Sequence, residues 1–206
     1  MPSKNRVFAG ALIALAIVAG PAAASQSVDL SNPAFAPTTG PTSIPIGAAE
    51  FCKAHRTDCG PSSNVVEVEP LTDSGWRQLV SINDKVNTNV LPITDQDLYQ
   101  VAEFWTYPKG RGDCEDYALE KRRQLIANGW DPSALLMTVV RQQNGEGHAV
   151  LMVRTDRGDL VLDNQVGQVL VWKDTSYQFI KRQSQTDSRK WVGIDDTRII
   201  TASVTR

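Results

Sequence analysis

Cys114 is a residue whose type and position could support nucleophilic chemistry. Asp113 precedes it, and aspartate is favoured at the N-cap of a helix, so that Cys114 would occupy the first helical position. The backbone N–H groups and the dipole at a helix N-terminus stabilise a thiolate. The other two cysteines lie close together in the segment 52–59 and can pair with each other, which leaves Cys114 unpaired. The sequence therefore predicts a reactive thiol at the start of a helix.

His148 and Asp163 are the residues that could complete a thiol catalytic site. A thiol nucleophile needs a base that accepts its proton and passes it to the leaving group. The imidazole in turn needs an acceptor on its far nitrogen. Of the two histidines, His55 lies between the two close cysteines, whereas His148 begins a β-like run and Asp163 ends the next one. Two adjacent antiparallel strands would bring His148 and Asp163 together beside the helix that begins at Cys114.

The pattern of apolar residues places this constellation in an α+β domain, with helices first and an antiparallel sheet after them. The predicted helices are 72–90, 95–104 and 114–128. The predicted strands are 135–141, 148–155, 159–162 and 168–172, with a final strand near Trp191 or Ile199. Turns that contain glycine separate the first three strands.

The N-terminal segment has the layout of a secretory signal peptide. Lys4 and Arg6 precede an apolar run over 7–20, which is shorter than the roughly 20 residues of a membrane-spanning helix. Small residues at 22–24 then supply a cleavage site near Ala24. We therefore predict a signal peptide over 1–24, a flexible arm rich in Ser, Pro and Thr over 25–48, and one domain over 49–206. The predicted location is the periplasm or the cell exterior.

Export predicts a disulfide between Cys52 and Cys59, because exported proteins meet an oxidising compartment. The charge balance points away from nucleic acid, since 21 Lys and Arg face 23 Asp and Glu and leave no basic excess. The basic stretch 121–123 is interpreted as a solvated helix face.

Several motifs of this chain resemble those of the bacterial transglutaminase-like cysteine proteinases, a family that includes the periplasmic LapG-type adhesin proteases. The motifs are Asn-Asp-Lys-Val-Asn at 83–87, Trp105 with Pro108, Gly-Asp-Cys-Glu-Asp-Tyr-Ala at 112–118, Gly-His-Ala-Val-Leu at 147–151 and Val-Leu-Asp-Asn at 161–164. The resemblance implies a papain-like fold, with the nucleophile at a helix N-terminus packed on an antiparallel sheet. It also implies that Cys114 is the nucleophile, His148 the general base and acid, and Asp163 the residue that orients the imidazole.

The resemblance further implies calcium beside the nucleophile, bound by Asp113 and Glu115 with Asp116 as a helper, and no organic cofactor. Carboxylates so close to Cys114 oppose ionisation of the thiol, so that a cation would offset them. Acids in a first helical turn are also favourable without any metal, as partners of the helix dipole. The implied partners are a protein substrate such as a cell-surface adhesin, and a membrane receptor that regulates the enzyme.

Two other functions remain open from the sequence. A transglutaminase-type acyl-transferase forms the same thioester and delivers it to an amine instead of water. A non-catalytic binding module of the cell envelope needs no triad. Fast and selective alkylation of Cys114 separates either enzyme from the binding module.

Overall fold

A seven-stranded antiparallel sheet forms the centre of the computed structural model, which describes residues 28–198. The strands are β1 (Thr38–Thr42), β2 (Leu91–Pro92), β3 (Arg111–Gly112), β4 (Leu135–Arg141), β5 (Gly147–Thr155), β6 (Gly158–Leu162), β7 (Leu170–Val171), β8 (Gln178–Gln183) and β9 (Trp191–Ile194). The helices are α1 (Ile46–Ala54), α2 (Asp73–Asn89), α3 (Asp95–Tyr99) and α4 (Cys114–Ala127). The order of strands in the sheet is β1-β9-β8-β4-β5-β6-β7, and β2 and β3 form a separate short parallel pair.

The strands β4, β5 and β6 form the part of the sheet that carries the site. β4 pairs with β5 along its whole length, so that Val140 lies opposite His148. β5 pairs with β6 from Leu151 opposite Leu162. The turn between β5 and β6 requires glycine, since Gly158 has a φ of 104° and a Cβ atom there would lie 2.6 Å from the backbone oxygen of Ala34.

Helix α4 packs on β4 and β5, and α2 packs on α4. The apolar side chains between these layers are buried, among them Leu79 and Val86 of α2 and Leu119 and Leu125 of α4. Each such side chain stabilises the fold by about 1.5–3 kcal/mol relative to an exposed position. This packing holds the N-terminus of α4 against the start of β5. The fold is therefore the predicted α+β arrangement, with Cys114 at a helix N-terminus on an antiparallel sheet.

The interpretation of the basic stretch 121–123 of α4 as solvated is wrong for Lys121 and Arg122 and holds for Arg123. Lys121 is fully buried and Arg122 nearly so, whereas Arg123 pairs with Glu120. Arg122 donates from Nε to the carbonyl oxygen of Leu135, which satisfies part of its guanidinium. The Nζ atom of Lys121 is buried and has no hydrogen-bond partner within residues 28–198, and this burial lowers the pKa of its ammonium group to about 7.

Several elements differ from the sequence-based prediction, which contains no counterpart of α1, β2 or β3. The helix expected over 95–104 ends at Tyr99, because Gln100 adopts a left-handed conformation with a φ of 61°. Strand β8 has no counterpart among the predicted strands. The segment 25–48, predicted as a flexible arm, contains β1 and the start of α1 in its described part. β1 pairs with β9 through its backbone while all five of its residues are exposed, and such a strand has no apolar alternation to reveal it.

The disulfide between Cys52 and Cys59 is present, with a distance of 5.5 Å between the Cα atoms, and Cys114 is free. The predicted signal peptide over 1–24 lies outside the described residues, as does Ile199. In the range 28–198, none of the helices has both the length and the apolar character that crossing a membrane requires.

Candidate active site

Cys114 is the first residue of α4, as the sequence predicted. Asp113 occupies the N-cap position in an extended conformation, but its side chain makes no capping hydrogen bond. The thiol donates to Oε2 of Glu115 at 3.1 Å, and Sγ accepts from the backbone N–H of Ala149 at 3.4 Å. Because Ala149 follows His148 on β5, this contact places the sulfur beside the strand that carries the histidine.

His148 and Asp163 form a buried pair. Nε2 of His148 lies 2.8 Å from Oδ1 of Asp163, and both side chains are almost completely excluded from solvent. Asp163 directly follows β6, and antiparallel pairing of β5 with β6 brings it next to the start of β5. The sequence-based argument from two adjacent strands therefore predicted this juxtaposition correctly.

The carboxylate of Asp163 is held on both oxygens. Oδ1 also accepts from the backbone N–H of Gln165 at 3.0 Å, and Oδ2 accepts from the hydroxyl of Tyr177. Burial by itself would raise the pKa of Asp163, but the hydrogen bond and charge of His148, with the Tyr177 hydroxyl, lower that pKa below its usual value. Asp163 is therefore ionised, and it fixes the Nε2 side of the imidazole.

The other ring nitrogen of His148 remains available to a reacting group. Nδ1 has one neighbouring polar group among the described contacts, Nε2 of Gln165 at 3.5 Å, which is a long and weak interaction. A neutral imidazole that donates from Nε2 to Asp163 has its lone pair on Nδ1. This nitrogen can accept the proton of a thiol.

Three carboxylates form a cluster close to the nucleophile. Oxygen atoms of Asp95, Asp113 and Asp116 all lie within 4.8 Å of one another. One oxygen of each accepts a backbone N–H: Asp95 from Phe104, Asp113 from Asp95 at 3.2 Å, and Asp116 from Thr106 at 2.8 Å. The other oxygen of each is buried and has no hydrogen-bond partner within residues 28–198. Three carboxylates that converge in this way, each with a buried oxygen that lacks a partner, form a hard donor set.

The sequence predicted Asp113, Glu115 and Asp116 as calcium ligands, and the structure groups them differently. Asp113 and Asp116 belong to the cluster, and Glu115, which accepts the thiol of Cys114, lies close enough to Asp113 for that charge to raise its pKa. Asp95 joins Asp113 and Asp116 in the cluster, and its position in a different helix gave no signal in the sequence. Gly112 accommodates the cluster, because a Cβ atom there would lie 2.3 Å from Oδ2 of Asp116.

Burial and mutual repulsion raise the pKa of every acid at this end of α4. Burial raises the pKa of Asp116 to about 8, and burial together with the charge of Asp113 raises that of Glu115 to about 9. The pKa values of Asp95 and Asp113 are also raised, chiefly by burial. Burial and then the charge of Glu115 raise the pKa of the Cys114 thiol. Burial and the neighbouring acids therefore favour the protonated form of the thiol.

A sequence model of one protein family matches residues 38–199, which is most of the chain. Its description is bacterial transglutaminase-like cysteine proteinase BTLCP. The chain belongs to this family. This bacterial transglutaminase-like cysteine proteinase is therefore an enzyme with a cysteine nucleophile, and the sequence-based identification of the family is confirmed.

Solved structures of one protein are similar to this proteinase. Calcium-bound LapG of Legionella pneumophila has 22% sequence identity over 64% of this chain and 74% of its own, with a TM-score of 0.48. EGTA-treated LapG of the same organism has 18% identity over 78% of this chain and 92% of its own, with a TM-score of 0.47. A search among curated proteins found no match.

Proposed function

We propose that this proteinase cleaves a protein substrate through a triad of Cys114, His148 and Asp163. The observation that carries the proposal is the buried pair of His148 and Asp163, because the residue that follows His148 on β5, Ala149, donates its backbone N–H to the free sulfur of Cys114 at 3.4 Å. A buried imidazole with a carboxylate on one nitrogen and a free lone pair on the other is suited to act as a general base.

The reaction follows the order of groups in this site. The Cys114 thiol transfers its proton to Nδ1 of His148, and the thiolate attacks the carbonyl carbon of the scissile peptide bond. The imidazolium then gives that proton to the leaving amine as the C–N bond breaks, which leaves a thioester on Cys114. Water attacks the thioester while His148 accepts its proton, and the acyl group leaves as a carboxylic acid as the thiol is restored. Asp163 stabilises the imidazolium in both halves of the reaction.

Calcium fits the cluster of Asp95, Asp113 and Asp116. Three buried oxygens without partners suit a hard cation that prefers oxygen ligands. When bound, calcium supplies positive charge that offsets the acids beside the thiol. After burial, the charge of Glu115 is the next cause that raises the pKa of the Cys114 thiol, so that neutralising this region of α4 makes transfer of the thiol proton to His148 easier.

The test of the triad is the reactivity of Cys114. Iodoacetamide should alkylate Cys114 rapidly in wild type in calcium-containing buffer, and slowly after His148→Ala. Cys114→Ala should abolish cleavage of a general protein substrate while the protein remains folded. Cleavage retained by Cys114→Ala would disprove this function. Incorporation of a labelled amine in place of hydrolysis would instead identify an acyl-transferase, and a slow, unselective thiol would identify a binding module.

For location and substrate, we propose a periplasmic enzyme that acts on a cell-envelope protein such as a surface adhesin. The signal-peptide layout of residues 1–24 and the disulfide between Cys52 and Cys59 support export. Cells that express wild type or Cys114→Ala should differ in the fragments that they release from envelope proteins. A membrane receptor that regulates the enzyme should be captured by Cys114→Ala after detergent extraction. If the released fragments do not differ and no receptor is captured, the proposed location and substrate are contradicted.

A further inference from the structure

Two asparagines of α2 hold the segment that carries the triad aspartate. Asn83 and Asn87 lie one turn apart on the helix and therefore face the same side. Nδ2 of Asn87 donates to the backbone oxygen of Asp163 at 2.8 Å, and Nδ2 of Asn83 donates to the backbone oxygen of Gly167 at 2.8 Å. The two amides thus fasten both ends of the segment 163–167.

Asp163 depends on such a contact because it lies beyond the end of a strand. The pairing of β5 with β6 ends at Leu162, so that the sheet does not fix the peptide group that follows. The carbonyl group of Asp163 points to α2 and accepts from Asn87 instead. The backbone of Asp163 is therefore held by a helix, while its carboxylate is held by His148 and Tyr177.

We propose that Asn87 is a positioning residue for the triad: its amide fixes the backbone of Asp163 and thereby the orientation of the His148 imidazole. This inference rests on the proposed roles of His148 and Asp163. The amide oxygens of both asparagines have no hydrogen-bond partner in the described part of the chain, so that the donor groups account for the contacts. When the donor of Asn87 is lost, the Asp163 carbonyl is no longer fixed and the carboxylate moves away from Nε2 of the imidazole.

Asn83 provides a matched control. It has the same residue type, lies on the same helix face and donates to the same segment, but at the end remote from Asp163. It is also completely buried, whereas Asn87 is only half-buried. Its loss should therefore destabilise the fold at least as much. A purely structural role predicts the larger defect for Asn83→Leu, and a positioning role predicts the larger catalytic defect for Asn87→Leu.

The experiment compares Asn87→Leu, Asn83→Leu and Asn87→Gln. The first measurement is the exchange rate of the His148 Nε2–H proton, followed by NMR on ¹⁵N-labelled histidine, with His55→Gln to assign the signal. The second is the rate of Cys114 alkylation by iodoacetamide across pH, in calcium-containing buffer, with the folded fraction measured by circular dichroism.

In Asn87→Leu, exchange should become about tenfold faster, the size expected for the loss of one hydrogen bond. The alkylation rate at neutral pH should fall about 10–100-fold, because small displacements of catalytic groups have effects of this size. Asn83→Leu should retain wild-type exchange and reactivity, and Asn87→Gln should recover part of both because it keeps an amide donor. If the leucine variants do not fold, Asn87→Ala and Asn83→Ala provide the same comparison.

Equal defects in the Asn83 and Asn87 variants, or wild-type exchange and reactivity in folded Asn87→Leu, would overturn the inference. Failure of the proposed function is a separate result. In that case wild-type Cys114 itself reacts slowly or Cys114→Ala still cleaves protein, while the exchange of the His148 proton still reports whether Asn87 holds Asp163.

Discussion

The substitution Asp163→Asn tests how much of the thiol's reactivity depends on the buried pair. Asparagine has nearly the same shape, so that its amide oxygen can replace Oδ1 and accept from His148 and from the backbone of Gln165. Its amide nitrogen then faces the hydroxyl of Tyr177, which can rotate and accept. The fold should therefore survive, while the negative charge that stabilises the imidazolium is lost.

The magnitude follows from the burial of the pair. Both side chains are almost completely buried, at 1% and 2% exposure, so that solvent does not weaken their interaction. A hydrogen bond to a charged group contributes about 1.5–3 kcal/mol. Since about 1.4 kcal/mol corresponds to a factor of ten, the population of the thiolate–imidazolium pair should fall about 10–150-fold. The alkylation rate of Cys114 at neutral pH should fall by the same factor.

The assay is iodoacetamide alkylation of Cys114 in calcium-containing buffer, followed by mass spectrometry across pH. Asp159→Asn is the control, because Asp159 is a fully buried acid at the other end of β6 that accepts from the backbone of Ala36. Asp159→Asn should lose stability and keep the reactive thiol. Wild-type alkylation by folded Asp163→Asn would refute the reasoning, and so would equal losses of reactivity in the two variants.

Further predictions concern the acid cluster and the disulfide. Burial raises the pKa of Asp116 from its usual 3.8 to about 8, so that the folded state binds a proton that the unfolded state releases. In EGTA, the stability that this protonation contributes should be complete at acid pH and lost as the pH rises through about 8. In calcium-containing buffer, the melting temperature should not fall over this pH range. Melting curves recorded across pH in the two buffers check this. Gly112→Ala should lower both the melting temperature and the calcium affinity measured by calorimetric titration, because the new Cβ would lie 2.3 Å from Oδ2 of Asp116. Gly40→Ala is the control: a Cβ atom at Gly40 has no neighbour within 4 Å, so that neither quantity should change. Replacing Cys52 and Cys59 by serine should lower the free energy of unfolding, measured by urea titration, by about 2 kcal/mol. The alkylation rate of Cys114 should stay unchanged. A lower alkylation rate would show that the disulfide supports the site.

The elements with strong periodicity could be predicted from sequence. Helix α2 extends over Asp73–Asn89, within the predicted 72–90, because the apolar spacing and the cap at Thr72 agree. Helix α4 and strands β4 to β6 agree with their predicted ranges to within a residue or so, since their apolar runs pack on one another. The pairing of His148 with Asp163 followed from the same pattern, because adjacent strands bring their ends together.

The remaining features depend on contacts that no local pattern encodes. Asp95 joins the acid cluster only because the segment after α2 folds back against the start of α4. Lys121 and Arg122 are buried although their charges indicate a solvated surface, because α4 packs between α2 and the sheet and covers these side chains. Strand β1 is exposed along its length, so that only its pairing with β9 defines it.

The pairing of β1 with β9 joins the first and last strands of the sheet, and this affects the order in which the domain folds. Contacts between residues far apart in sequence form late, because a long loop must close before they gain any stabilisation. The strands β4, β5 and β6 pair with neighbours in the chain, so that this part of the sheet can form before the edge of the sheet exists. A chain that emerges from its N-terminus must wait for residues 191–194 before β1 finds its partner. Until then β1 is an unpaired strand, and the nascent domain depends on the completion of its C-terminal end.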